Sequence, residues 1–275
     1  MCAGWRPESM LSCPIRPRGD AWAEAFAGTS SRAEIVHESN FRVLFGMCGR
    51  YALAQEHEAL RIRFGFNDDQ MSPLLLTPRY NIAPTQLAAV ITNGAGATLR
   101  GMRWGLIPHW AKDRSIGTSL INARSETASD KPSFREAFKS KRCLVPATGF
   151  FEWKVATTGK GKQPVYIRTK DQDIFSFAGL WSSWKDPAKG EDVLTYTILT
   201  TEPNDFMKTY HHRMPVILSL ESEKMWLSGD SGKEELQNLL APCSSENLVA
   251  HPVSTVVNSP RNDSPICIEP LPSLM

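Results

Sequence analysis

RCLVPATGFFEWK, residues 142–154, decides the fold class. It holds two strand candidates in close succession, 143–146 and 149–154, rich in β-branched and aromatic residues and punctuated by Pro146 and Gly149. The same signature recurs upstream at 87–92 and 99–106, and downstream at 164–169, 175–181, 195–201 and 216–218. Helical spacing is confined to short stretches: 56–66, where Leu60 and Phe64 share a face, then 133–139, 221–227 and 233–240. Helices and strands follow no βα alternation. The pattern predicts a single α+β domain built on a distorted antiparallel β-barrel or curved sheet flanked by short helices. The segment 67–84 reads as loop, running into NIAPTQ (81–86), and the Pro- and Ser-rich tail after Asn258 reads as ordered or semi-ordered coil.

Working outward, the chain has 275 residues, 41% hydrophobic and 22% charged, which allows one or two globular domains and excludes wholesale disorder. No apolar run approaches the length of a membrane-spanning helix, so no membrane partner is expected. Thirty-one Lys and Arg against 29 Asp and Glu leave a formal charge of +2. That balance argues neither for nor against nucleic acid, because the clustering of basic residues decides. Cys2, Cys13, Cys48, Cys143, Cys243 and Cys267 form no CxxC pair, so neither a disulfide framework nor a metal site is expected. Residues 1–46 lack a sustained period and the apolar core of a signal peptide. They are expected to be a poorly ordered extension, with at most a short helix at 22–26 behind Asp20, in a cytoplasmic protein. The patterned domain runs over 47–272.

Five strings carry chemistry. In MCGRYAL (47–53), loss of everything before Cys48 would leave one residue with both an α-amine and a thiol. These titrate near about 7.7–8.0 and about 8.5, so both are partly nucleophilic at neutral pH. Such a 1,2-aminothiol attacks aldehydes, or serves as an N-terminal nucleophile with its own amine as base. An isolated Cys is also simply a small hydrophobe. INARSET (121–127) offers Asn122 as donor and acceptor, Arg124 as a phosphate fork and Glu126 to orient Arg124, or else a polar turn. In GFFEWK (149–154), Glu152 between Phe151 and Trp153 suits general acid–base work if it faces inward, which strand alternation leaves open. HHRMPVIL (211–218) brings a histidine able to shuttle protons and Arg213 able to bind an anion. In MRWGLIPHW (102–110), Trp104 and Trp110 either pack the core or, beside Arg103, stack a base.

Taken in this order, with FAGLW (177–181), YTILTT (196–201) and HPVSTVVNSPRNDSP (251–265), these strings resemble the SRAP family, the SOS response-associated peptidases. The likeness covers about residues 47–270. It implies one α+β domain with a basic cleft for single-stranded DNA, and a covalent reaction with abasic sites. By the resemblance Cys48 is the nucleophile, Asn122 holds its amine and the sugar, and Glu152 is the acid–base group that helps open the deoxyribose. The catalytic histidine maps to His211, with His212 the alternative. Arg50 and Arg124 match the phosphate-binding arginines and Trp104 the aromatic near the DNA junction. No cofactor or metal is implied, and a monomer is expected.

A ring-opened abasic site presents an aldehyde at C1′. The Cys48 amine would form an imine there and the thiol would close a thiazolidine, an intramolecular step with its proximity gain. The imine alone would permit β-elimination, a lyase reaction. Cys48 is nevertheless the 48th residue, so removal of an initiator Met does not expose it. Either Met47 is the true start, or the chain is cut before Cys48 by self-cleavage, or the amine stays blocked. The alternatives to a crosslinking enzyme are a cysteine-type peptidase using Cys48, Glu152 and His211, and a non-covalent single-stranded DNA-binding module.

Overall fold

The computed structural model describes residues 49–66, 77–93, 96–155 and 161–272. The helix expected at 22–26, and Cys48, lie outside the described residues. In chain order the strands are β1 (Tyr51–Leu53), β2 (Arg79–Ile82), β3 (Leu87–Asn93), β4 (Ala97–Trp104), β5 (Asn122–Arg124), β6 (Arg142–Ala147), β7 (Gly149–Val155), β8 (Lys162–Thr169), β9 (Phe175–Lys185), β10 (Asp192–Thr201), β11 (Met214–Pro215), β12 (Ile217–Leu218) and β13 (Leu248–Pro252). The helices are α1 (His57–Phe64), α2 (Ser125–Ala128), α3 (Arg135–Ser140), α4 (Asp205–Lys208), α5 (Leu220–Leu227) and α6 (Lys233–Asn238).

Two sheets form the α+β domain. β10, β4, β3, β6 and β9 pair in sequence, and β9 pairs again with β10, so five strands close on themselves as a barrel. Closure removes the free edges of that sheet. One seam departs from the antiparallel expectation: β10 runs parallel to β4, and β5 also pairs with β10 in parallel. The second sheet is antiparallel, in the order β13–β8–β7–β1–β2.

Residues 142–154 join the two. Every residue of β6 is buried in the barrel, and β7 in the second sheet is buried from Gly149 to Glu152. Both strands are covered on both faces, which is why they read as near-continuous apolar runs. Between the sheets lies an aromatic cluster: the Tyr51 ring meets Trp104 at 5.2 Å and Phe177 at 5.9 Å, and Trp104 stacks on Tyr196 at 6.3 Å. The Tyr51 and Tyr196 hydroxyls share a hydrogen bond of 2.8 Å, so the buried phenols satisfy each other.

Five strands, β1, β2, β5, β11 and β13, lie outside the strand candidates of the sequence, and β2 lies inside the expected loop 67–84. β2 is a sheet edge bonded only to β1 on one side. On its other side the Tyr80 and Asn81 N–H groups donate to the Asp263 carboxylate at 2.5 and 3.0 Å. Asp263 also pairs with Arg79. The tail is ordered by these bonds, makes a short 3₁₀ turn at Pro265–Cys267 and returns to β13, where the Leu271 N–H donates to the Pro252 carbonyl at 3.0 Å. Helices fall close to expectation. α1 stops at Gly65, whose φ of 65° is left-handed and whose N–H caps Arg61 at 2.8 Å.

Candidate active site

The described site residues fall into two groups, one on each sheet. Arg50, entering β1, is half-buried and tied down at both ends. Its carbonyl accepts the Phe151 N–H at 3.0 Å. Its Nη1 donates to Asn81 Oδ1 and to the Val257 carbonyl, each at 2.7 Å. The guanidinium also lies 5.8 Å from the Trp153 ring centroid, within cation–π range. Burial lowers its pKa, but an arginine so far above neutrality stays charged. Asn81, fully buried, completes the cradle by donating through Nδ2 to Ser259 and Asn262 carbonyls at 3.0 and 2.6 Å. Next to Phe151 on β7, Glu152 is only 6% exposed, buried as general acid–base work requires, in a stretch of strand covered on both faces.

The second group surrounds β10. β5 lies against it in register, Asn122 opposite Ile198 and Arg124 opposite Thr200. Asn122 is half-buried and Arg124 exposed. On the other side of β10, β11 pairs Pro215 with Thr200. β10 thereby carries INARSET on one flank and HHRMP on the other. The two strings meet directly: Arg213 donates from Nη1 and Nη2 to the two Glu126 oxygens at 2.6 and 2.8 Å. It adds a bond of 2.6 Å to the Thr200 carbonyl. This corrects the expected Glu126–Arg124 pair and the expected anion site at Arg213, because the carboxylate takes the fork that an anion would use. Burial pushes the Glu126 carboxyl up, but the Arg213 bonds and charge outweigh it and hold the group below the usual carboxylate range.

His211 and His212, alternatives in the sequence, differ in the fold. Their rings stack at 4.2 Å, but His211 is half-buried and His212 exposed. The main-chain N–H of Arg213 donates to His211 Nδ1 at 3.1 Å. Burial pushes the His211 imidazole below its usual pKa and the charges of His212 and Lys162 act the same way, outweighing the Arg213 backbone carbonyl, which pulls it up. Contacts between the sheets bring the groups towards one another. Lys154 on β7 sits 5.7 Å over the Tyr210 ring, next to His211, and Lys162 on β8 is the charge that reaches His211. These contacts link β7 and β8, the strands beside and including Glu152, to the turn that carries His211.

The tryptophans separate. Trp104 is fully buried, and its Nε1 donates to the Ile121 carbonyl at 2.8 Å. It is a core residue beneath β5, which corrects its expected place at the DNA junction. Trp110 is 50% exposed and walls a pocket of about 210 Å³ with Pro108, His109, Glu136 and Lys141. The turn that swings the chain outward begins at Gly105, φ 118°, where a Cβ would lie 2.5 Å from the Gly117 carbonyl oxygen. Asn81 and Asp263 were missed as site-building residues, although both sit inside strings the sequence reading quoted. Among the described residues no group of three or more His, Cys, Asp or Glu side chains could hold a metal ion. No helix there is long and apolar enough to cross a membrane.

Residues 47–260 match the family described as SOS response associated peptidase (SRAP). The chain belongs to that family. Abasic site processing protein YoqW of Bacillus subtilis (strain 168) is 46% identical over 226 residues, covering 81% of this chain and 99% of the relative. Abasic site processing protein HMCES of Gallus gallus is 34% identical over 266 residues, covering 82% of this chain and 78% of the relative. Among solved structures, a protein from Bacteroides thetaiotaomicron superposes with a TM-score of 0.75 at 32% identity, over 82% of this chain and all of that one.

Proposed function

We propose that this chain processes abasic sites in single-stranded DNA and, once Cys48 carries a free α-amine, captures the lesion covalently. Residues 47–272 make up the catalytic domain in this reading. The observation that carries it is the main-chain bond of 3.0 Å from Phe151 N–H to the Arg50 carbonyl, beside the buried Glu152. In sequence Cys48 precedes Arg50 by two residues, so the bond ties the strand that follows the nucleophile to the residue next to Glu152.

The chemistry balances without a cofactor. The Cys48 amine adds to C1′ of the ring-opened sugar, and loss of water leaves an imine. The thiol sulfur then adds to the same carbon and its proton passes to the nitrogen, closing the thiazolidine. Glu152 carries protons to and from the sugar oxygen, and His211 serves as the second proton carrier, His212 being the exposed member of the pair. Asn122 holds the amine and sugar. Arg124 binds phosphate through its exposed guanidinium, and Arg50 through Nη2, since Nη1 is bonded to Asn81 and Val257 and Nε is buried. Trp110, rather than the buried Trp104, is placed to stack a base.

The test incubates protein whose N-terminus is Cys48, verified by mass, with single-stranded DNA carrying an abasic site. The expected result is a protein–DNA band that survives denaturing electrophoresis and vanishes in Cys48→Ala. Peptide hydrolysis without that band would overturn the reading in favour of a cysteine peptidase. Binding without the band would leave a non-covalent module. The mass of the natural product settles which N-terminus the chain bears.

A further inference from the structure

The Glu126–Arg213 pair joins two strings that chemistry does not require to touch, and it does so through Arg213, a residue only 8% exposed. An arginine this buried, with both Nη atoms on one carboxylate and a third bond to Thr200, has little freedom of rotation. Its own main chain is fixed in turn, because Met214 and Pro215 pair with β10. The main-chain N–H of Arg213 then has one place to point, and at 3.1 Å it meets Nδ1 of His211.

A backbone N–H only donates. The nitrogen facing it must be unprotonated, so a neutral His211 carries its proton on Nε2. The Arg213 carbonyl also lies near Nδ1, at 3.3 Å. It becomes a partner only when Nδ1 gains a proton, and then two N–H groups confront each other across 3.1 Å. The shorter contact therefore selects the Nε2–H form.

We propose that the Glu126–Arg213 ion pair is the positioning device of His211: it holds the Arg213 main chain so that Nδ1 is occupied and Nε2–H is the group offered to the sugar. The assignment rests on the reading of His211 as a proton carrier at the abasic site. Glu126 and Arg213 are positioning residues and touch no reacting atom. The pair also ties β5 to the histidine turn, so that Asn122 and His211 keep one spacing across β10. The chemical demand behind it is directional. Opening the deoxyribose needs a proton delivered to a ring oxygen, and a histidine that exchanges tautomers offers its proton only part of the time.

The experiment records ¹⁵N spectra of the histidine rings in the full chain, and crosslinking rates on abasic single-stranded DNA with protein whose N-terminus is Cys48, for wild type, Glu126→Gln and Arg213→Lys. Glu126→Gln keeps the shape but loses one oxygen acceptor and the charge. Arg213→Lys keeps the charge and loses the fork. In wild type, His211 shows an acceptor Nδ1 and a protonated Nε2. Both variants are expected to move the two nitrogen shifts towards a common average and to slow crosslinking about tenfold to a hundredfold, the scale of a small misplacement of a reacting group. A variant that keeps the wild-type His211 shifts would overturn the proposal, whatever its rate. Loss of folding in both variants would also overturn it, making the pair a staple of the fold. If wild type forms no crosslink, the functional reading fails, while the nitrogen shifts still decide the tautomer.

Discussion

Arg50, at the start of β1, and Arg213, beside β10, are both pinned by hydrogen bonds, and the contrast in how they are held is instructive. Arg50 rests on neutral oxygens, one from the Asn81 amide and one from the Val257 carbonyl, supplied by a tail about 200 residues further on. Arg213 rests on a carboxylate and one carbonyl. A buried cation on neutral acceptors depends on their geometry alone, since nothing compensates its charge when they move. A cation on a carboxylate is compensated but hostage to that carboxylate's proton. The first arrangement is a mechanical brace for the strand that leads from Cys48. The second can be opened by acid.

The largest expected effect follows from breaking the neutral cradle. Asn81→Ala removes the acceptor of Arg50 and the donor to the Ser259 and Asn262 carbonyls in one step. It leaves a partly buried guanidinium and two carbonyls short of partners, and a loss of about 3 kcal/mol is expected. Denaturant unfolding of the variant measures it. A midpoint shift at constant slope supports the brace. An unchanged midpoint would show that Arg50 finds other oxygens without cost.

The neutral cradle is also the part least legible in the sequence. β3, β6, β8, β9 and β10 were readable because apolar, β-branched and aromatic residues dominate them. β2 was not, because RYNI carries two polar residues and sits two positions before a proline, and its second edge is satisfied by Asp263 from the far end of the chain. Local pattern does not reveal a strand stabilised by a side chain 180 residues away. Glu126 failed for a related reason. Its neighbour Arg124 is two residues off in sequence, but Arg124 ends β5 and points to solvent, while folding brings Arg213 across β10. Trp104 was more legible than it was read. Along β4, Met102 and Trp104 are buried and Arg103, between them, is not, the period of two that a half-buried strand imposes. Glu152 was identified as a residue and left open as to face, because β7 is buried on both sides there and alternation carries no signal.

Acid sharpens the comparison. The folded-state pKa of Glu126 is depressed, so its contribution to the pair is present above the ordinary carboxylate value of about 4.5 and is lost as pH falls through the lowered one. Neither acceptor of Arg50 takes up a proton in that range. Arginine side-chain ¹⁵N spectra followed downward from pH 7 should show the Arg213 Nη signals exchange-broadening below about 4.5 while those of Arg50 persist. His211 adds to the same sense at milder pH. Its lowered pKa means that stability falls as pH drops below the unfolded value of 6.5, towards the folded one. Simultaneous loss of both arginine signals would erase the distinction between the two clamps.

The smallest expected effect belongs to the arginine that is in neither clamp. Arg124 ends β5 with its guanidinium in solvent, and no ion pair holds it among the described residues. Its replacement by Ala should leave the unfolding curve unmoved, since surface changes away from structural contacts usually do. It should instead appear in binding to single-stranded DNA. Each phosphate contact contributes about 0.7 to the slope of log affinity against log salt concentration on single strands. Arg124→Ala should therefore flatten that slope by about one such increment. Asn81→Ala, by contrast, should weaken binding through misplacement of the fold. A slope unchanged in Arg124→Ala would remove this residue from the DNA interface and leave phosphate recognition to Arg50, Lys154 and Lys162. Arg213, whose fork is already taken by Glu126, keeps the geometry of the site, while Arg124, in no ion pair among the described residues, has its donors to give to the substrate.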